Sequence, residues 1–545
     1  MKFVTILILT LFFASPVLAG GIFQPGTGGG GSGDLTEVQV TAPITVTSGT
    51  GPVPVVACPT CGVKGDTLFS ASDYNFSTTA PSAVTTVGVA NPIYHMPVLS
   101  KVTAGALASN TYSARITYTN AAGETLPSLI AVLTVETNKQ LKITSPPAAT
   151  NATGWNVYVT TTVGSETKQN GGTPIAIGTD YTVTSLVAGA ALPTANTTGS
   201  TTVTPAAFSN SAGLTSFYAP VITVGSGTQK ATHFQPILVD EGGANEEVVF
   251  ASSVTATTFT AIFTKTHSAG YTVKSATSGI AEAVFAIDPS GAQNPDGGGT
   301  ILLATGVTTI KAPIPLRDNT VFVGRGGIRM LGPTAASTGF SQIRYTSTDT
   351  SKGAFFAQGI IGTEGVNGVV LKNFYVNSDT HVVKVGGNLG GTGGFRLEGV
   401  RFEANYLQTA GIRASAIRSS YGANQMTIIN SRLTGSPGIE ITGSIMIGGV
   451  VRDSWIDLQN HTFADGAGIS ITANSGGFGT GSSAGGTLNL YDTVFEGGIA
   501  PILDLTDVPT MLLENTGNSD WSGSVNANVV KIFFDFAANS QPLVF

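Results

Sequence analysis

Tyr375, Arg401, Arg432, Trp455 and Val494 form one series in this 545-residue chain, and Asn377, Glu403, Thr434, Asp457 and Glu496 form a second, always two residues later. Rings stack on sugar faces, arginines clasp carboxylates and acids move protons. One exposed strip carrying both series therefore has the composition of a glycan-binding face. Glu403 and Asp457 sit two members apart. If each member belongs to one coil of stacked strands about 4.8 Å apart, their backbones lie about 9 to 10 Å apart. That approaches the roughly 6.5 to 9.5 Å of an inverting glycosidase pair, whereas neighbouring acids such as Asp457 and Glu496 would suit the roughly 5 Å of a retaining one. Two carboxylates sharing a site would also make one of them a proton donor. The candidate catalytic residues are thus Glu403, Asp457 and Glu496, and the candidate substrate-binding residues Tyr375, Arg401, Arg432 and Trp455. The same side chains also fit a solvated ladder of weak ion pairs, and the sequence leaves these readings open.

What must position the two series is a repeat. The phrase apolar-x-(Asn, Asp or Gly)-x-x-apolar occurs at Leu371/Asn373/Val376, Leu397/Gly399/Phe402, Ile428/Asn430/Leu433, Val451/Asp453/Ile456 and Leu490/Asp492/Phe495, with a degenerate sixth copy at Leu513/Asn515/Asn518. Repetition at this period signals a solenoid. The middle residue is a type that tolerates left-handed backbone, which a bend between strands needs. Stacked asparagines there could also bond neighbouring backbones as a ladder. Alternation along a strand then sends Val376, Phe402, Leu433, Ile456 and Phe495 inward and the two series outward. The bend position removes Asp453 and Asp492 from the candidate acids. The expected fold class is all-β, a right-handed parallel β-helix with amino-terminal β-sandwich-like modules.

Only 10% of residues are charged, while glycines number 70, which favours strands and turns over helices. A formal net charge of −7 argues against nucleic acid as the main partner. Residues 1–19, with Lys2, an apolar run and the exit Val17-Leu18-Ala19, read as a secretory signal peptide. No later segment has the roughly 18 apolar residues of a membrane span, so the mature protein is expected to be secreted or at the cell surface. Cys58 and Cys61 form a C-x-x-C without the context of a redox or zinc site, and a local disulfide is the expectation. No cofactor is expected.

Residues 20–97 read as a Gly/Ser/Thr/Pro-rich tether with a few strands, 98–200 as a small β-sandwich, 201–277 as a second small β module, 278–520 as the β-helix and 521–545 as a tail or cap. The sandwich rests on alternation at Tyr112, Ala114, Ile116 and Tyr118 and again at Trp155, Val157 and Val159. In the second module His267, Glu246 and Glu247 are expected at the surface. Ile280 to Ile287 is predicted to form one short apolar helix capping the open end of the solenoid.

Thr111 to Ser128 and Ala152 to Thr160 resemble fibronectin type III modules, which space or bind and do not catalyse. Gly297 to Leu303, Ile310 and Pro315 to Gly327, with the six phrases, resemble the entry coils of pectate lyase-like parallel β-helices. That resemblance implies the fold more than an activity. Of the polygalacturonase-like motifs only Asn377-Ser378-Asp379 with nearby His381 is present. Ser454 to Leu458 followed by Asp465-Gly466 is similar to segments of calcium-dependent pectate lyases, but Leu458 replaces the histidine and the second aspartate is missing. Calcium is therefore unsupported. Gly481 to Gly485 matches G-x-S-x-G without a following helix, so no nucleophile elbow is expected. His381 and His461 are expected as lone surface histidines, and the insertion Asn474 to Gly486 as a loop at one edge of the solenoid. Together these readings describe an exported protein that binds an acidic polysaccharide or cell-surface glycan and, if its acids are catalytic, cleaves it as a lyase or glycoside hydrolase. The alternative is a non-enzymatic adhesin, structural fibre or phage tailspike-like receptor-binding protein, monomeric or homotrimeric.

Overall fold

The bend residues of the repeat take the left-handed conformation in the computed structural model of the chain, with φ of 59° at Asn373, 60° at Gly399, 47° at Asn430 and 49° at Asp453. Each turns one strand into the next, and successive turns donate a backbone N–H to the coil that follows. Asn373 bonds the carbonyl of Glu398 at 3.0 Å, Gly399 that of Ile429 at 3.1 Å and Asn430 that of Arg452 at 3.0 Å. The expected side-chain ladder is carried one residue later, by hydroxyls. Ser431 Oγ accepts from the Val400 N–H at 3.3 Å, and Ser454 Oγ from the Ser431 N–H at 3.2 Å.

The structure describes residues 45–48, 55–57, 68–93, 95–206, 235–254, 258–287, 298–325, 339–347, 352–357, 366–385, 389–405, 414–419, 423–435, 437–442, 445–447, 449–457, 467–472, 487–491, 493–496, 500–505, 512–516, 526–527 and 531–535. The signal peptide, Cys58, Cys61, His461, Asp465, Asp492 and the insertion Asn474 to Gly486 lie outside them. The chain divides into two compact units, Met1–Asp66 and Thr67–Phe545. In the first, Thr45–Ser48 pairs antiparallel with Val55–Ala57.

In the second unit, strands from Gly299 to Asp535 alternate among three parallel sheets, so that each coil gives one strand to each. The first sheet contains Thr320–Val323, Val366–Lys372, Leu389–Glu398, Met426–Ile429, Gly449–Arg452 and Thr487–Tyr491. The second contains Gly306–Ile310, Ser341–Tyr345, Tyr375–Ser378, Arg401–Ala404, Arg432–Thr434, Trp455–Asp457 and Val494–Glu496. The third includes Gly353–Ala357, His381–Val385, Ile417–Ser419 and Ile439–Thr442. The fold is all-β, with the strand order expected of stacked parallel coils. No helix among the described residues is long and apolar enough to cross a membrane.

Five copies of the phrase fall in register: Leu371, Leu397, Ile428, Val451 and Leu490 pair in turn along the first sheet. The sixth does not. Leu513 pairs with Leu488, and Asn515 with Leu490, a slip of two residues. An even slip keeps each side chain on its face, so it costs the core nothing in parity. A second left-handed column, unanticipated from the sequence, runs along the first sheet at Asn319, Gly368, Gly394 and Gln425, with φ of 55°, 64°, 77° and 46°. It coincides with an irregular register at Asn367/Val369.

Val376, Phe402, Leu433 and Ile456 are fully buried, as alternation required. Phe322, Phe355, Phe374 and Phe402 stack through the core with successive centroids 5.3, 5.8 and 6.0 Å apart. Burying each such ring contributes about 1.5 to 3 kcal/mol. The helix forms over Ile280–Ile287, and its Ile280, Ala283 and Val284 join this core with Ala71, closing the first coil.

Ahead of the coils, Asn110–Thr119 pairs with Ala131–Val135 and Gly154–Thr160 in a four-stranded antiparallel sheet. Leu99–Leu107, Lys139–Ile143 and Tyr181–Val183 form a three-stranded one. One core containing Tyr112, Ile116, Trp155, Leu141 and Val183 spans both. A six-stranded sheet contains Gln235–Val239, Glu247–Val254, Phe259–Ala261 and Tyr271–Ser275. The stretch read as a tether supplies Ser77–Ala80 to this sheet and Leu68–Ser70 to the first coil sheet.

The bends supply the first test. A Cβ added at Gly399 would stand 2.8 Å from Asn373 Oδ1 while φ is positive. Gly399→Ala is expected to lower stability by about 1 to 2 kcal/mol, while Asn430→Gly should change it by less than about 0.5 kcal/mol. Denaturant unfolding of both variants checks this, and equal losses would contradict the bend assignment.

Candidate functional site

The second sheet sets both series in the anticipated register. Tyr375, Arg401, Arg432, Trp455 and Val494 pair in order, as do Asn377, Glu403, Thr434, Asp457 and Glu496. Thr434 stands between Glu403 and Asp457, while Asp457 and Glu496 are on adjacent strands across the long insertion. Earlier coils extend the columns to Gln342 and Arg344.

Exposure differs from the expectation of an open strip. Tyr375 is 2%, Arg401 8% and Glu403 9% exposed, and Thr434 only 3%. The physical cause is the coil spacing, which lets each long side chain lie on its neighbour. The guanidinium of Arg401 lies over the Tyr375 ring at 5.6 Å, and that of Arg432 over the Trp455 ring at 5.2 Å. Each aromatic face expected to meet a sugar thus meets the arginine of an adjacent coil.

Glu403 is the hub. Its Oε2 accepts from the Tyr375 hydroxyl and, at 3.3 Å, from Asn377 Nδ2; its Oε1 accepts from Arg401 Nε at 2.8 Å and from Nη2. Asn377 also donates to the Tyr375 hydroxyl at 3.0 Å, and Asn405 donates to Asn377 Oδ1 at 2.6 Å. Arg344 pairs with Asp379 in the same way. A carboxylate accepting four hydrogens holds an arginine and a tyrosine in place. At Thr434 and Trp455 the hydroxyl and the indole N–H are enclosed without hydrogen-bond partners. The side chains of Asp457, Val494 and Glu496 lie outside the described residues.

The histidines depart from their expected surface positions. His381 is fully buried. Val383 and Val385 follow it at period two on the inward face, and that signal was available in the sequence. Its Nδ1 accepts the Ser415 N–H at 2.9 Å. A neutral imidazole has one acceptor nitrogen, so Nε2 carries the hydrogen, and its 3.3 Å approach to Arg418 Nη1 is packing between two donors. Burial, then the charges of Lys384 and Arg418, hold His381 well below the ordinary histidine range. Arg418 and Ser415 converge on Glu440, the latter through a 2.8 Å hydroxyl bond. His267, bridged to Val84 outside the strands of the six-stranded sheet, is 3% exposed, with Nε2 2.8 Å from Glu247 Oε1. The Glu247 side chain is only 7% exposed, while that of Glu246 is 28% exposed.

These networks generate two tests. Glu403→Gln leaves the buried Arg401 charge unanswered and is expected to lower stability by about 3 kcal/mol, read as a fall in the denaturant midpoint. His381 has a folded-state value below its unfolded one. Its contribution is therefore complete above the ordinary histidine value of about 6.5 and is lost as pH falls below it. His381→Asn, which keeps an acceptor for the Ser415 N–H, should flatten that acid decline in a pH series of unfolding midpoints.

No protein-family model matches this chain, and no curated protein matches it. A solved structure described as Geobacillus virus E2 ORF18 is similar at 13% identity over 47% of this chain and 56% of that one, with a TM-score of 0.26. The chain thus spans about half the length of that structure, and the likeness carries no argument about fold or function.

Proposed function

We propose that this chain is an exported, non-enzymatic β-helical protein, an adhesin or structural fibre, in which the amino-terminal β modules carry a stiff stack of coils. The observation that supports this reading is the occupation of Glu403. Its four acceptor positions are filled by Tyr375, Asn377 and Arg401, so the first of the three candidate acids along the strip is engaged by its neighbours. The apolar run after Lys2 and the exit at Val17-Leu18-Ala19 support export to the medium or cell surface. The resemblances to pectate lyase-like helices and to fibronectin type III modules belong to this reading, as scaffolds that bind or space.

One observation favours a second reading, binding and cleavage of an acidic polysaccharide. Asp457 and Glu496 occupy adjacent strands, which at about 4.8 Å suits a retaining carboxylate pair. Arg432 and Trp455 stand beside them in the neighbouring column. The three arginines in the described part of the strip each lie against an acid or a ring, which weakens the case for recognising a polyanion there.

The purified mature chain, incubated with pectins, alginates and capsular glycans, should yield neither absorbance near 235 nm nor new reducing ends. Products that disappear in Asp457→Asn or Glu496→Gln would overturn the non-enzymatic reading. Products that persist in both would overturn it too and place the chemistry away from this strip.

A further inference from the structure

Enclosed polar atoms without partners occur at Thr434 and Trp455 on the strip and at His267 outside the strands of the six-stranded sheet. None has the accessible surface a ligand atom would need. A proton needs no such room, and of the three only the imidazole can take one.

The side chain of His267 is wholly buried. Its Nε2 faces Glu247 Oε1 at 2.8 Å, and that carboxylate also accepts from the Thr264 N–H at 2.9 Å, the Thr264 hydroxyl at 2.6 Å and the Lys265 N–H at 3.2 Å. Glu247 is thus an acceptor throughout, and Nε2 is the donor. In the neutral ring Nδ1 then presents a lone pair. It points toward another acceptor, Asp240 Oδ2, 3.8 Å away, with no hydrogen-bond partner of its own. Protonation reverses the sign of that contact.

We propose that His267 is a proton-operated latch which, when charged, ties Asp240 to Glu247 and, when neutral, releases Asp240. The side chain of Asp240 is about one third exposed, 32%, and its Oδ2 is the carboxylate oxygen that faces Nδ1. Other charges near the ring are already answered. Lys274 pairs with Glu241, Lys311 pairs with Glu246 at 3.0 Å, and Lys265 donates to the Glu246 carbonyl at 2.8 Å. Tyr271, with its ring 5.1 Å from that of His267, is pushed up to about 12 by burial and then by the Glu247 charge, so it stays protonated where histidine titrates. Asp240 has no lysine or arginine partner among the described residues.

The latch bears on a joint. Asp240 opens the turn in which Gly243 donates to its carbonyl at 2.9 Å and Gly242 donates to Glu246 Oε2 at 2.7 Å. Glu246 in turn holds Lys311, and Leu238 with Ala276 packs on Ala312, where the six-stranded sheet meets the first coil. Acidification should therefore tighten this joint and alkalinisation loosen it.

Asp240→Asn tests the proposal, because asparagine tolerates the φ of 56° found there. In the full chain, hydrogen exchange of residues 240–247, compared at each pH between wild type and variant, should show several-fold greater wild-type protection in acid buffer and near equality in alkaline buffer. A protection ratio that does not depend on pH would overturn the latch.

Discussion

A residue in the left-handed conformation at the end of successive strands of the first sheet sets the direction of the strand that follows, and so decides which side chains lie over which. Asn373, Gly399, Asn430 and Asp453 hold this conformation in four consecutive coils. Where the parallel strands are in register, a side chain has its counterpart about 4.8 Å above and below. Chemistry in such a stack comes in columns. A charge on one coil has to be answered within one or two coils or remain open to solvent. Glu403 shows the outcome: Tyr375 and Asn377 from the preceding coil, and Arg401 from its own, take all its acceptor positions. The same spacing that could assemble a catalytic pair therefore also lets the pair be dismantled by its neighbours.

The competition can be weighed. Removing one partner of a buried ion pair costs about 3 to 5 kcal/mol, whereas an exposed pair contributes about 0 to 1 kcal/mol. Arg401 and Glu403 have side chains only 9% and 12% exposed, against 60% and 48% for Arg452 and Asp453. The first pair is committed to structure, while the second is a solvated contact at a bend.

What the sequence made legible was local. Bends, the inward column from Val376 to Ile456 and the helix Ile280–Ile287 follow from residue type and period within a few positions, and the structure repeats them. The burial of Tyr375, Arg401 and Glu403 was not legible, because alternation reports the face of a strand and not what the next coil lays upon it. The two-residue slip at Leu513 was hidden for a related reason: an even slip preserves the hydrophobic pattern that period-based reading detects. His267 was misplaced at the surface because its partner, Glu247, lies 20 residues away in the chain, whereas His381 was misplaced although Val383 and Val385 carry the period-two signal of its face. The left-handed column at Asn319, Gly368, Gly394 and Gln425 escaped because two glycines in a glycine-rich chain carry little signal.

The position following each bend shows how the two kinds of cohesion divide the stack. It is Phe374 and Val400 in the earlier coils, then Ser431, Ser454 and Thr493 in the later ones. Phe374 belongs to the aromatic stack that ends at Phe402. Where that stack ends, Ser431 bonds the Val400 N–H and the Ile429 carbonyl, Ser454 bonds the Ser431 N–H and the Arg452 carbonyl, and Thr493 bonds the Val451 carbonyl. An aromatic stack holds coils by area and tolerates small rotations. A hydroxyl ladder holds them by direction, since a donor or acceptor displaced by 1 Å inside the protein is left unsatisfied at a cost of about 1 to 3 kcal/mol. The change of residue type at one column therefore passes the task of keeping register from packing to hydrogen bonding, at the coils where Arg432 and Trp455 lean on one another and where the acidic positions of Asp457 and Glu496 come side by side.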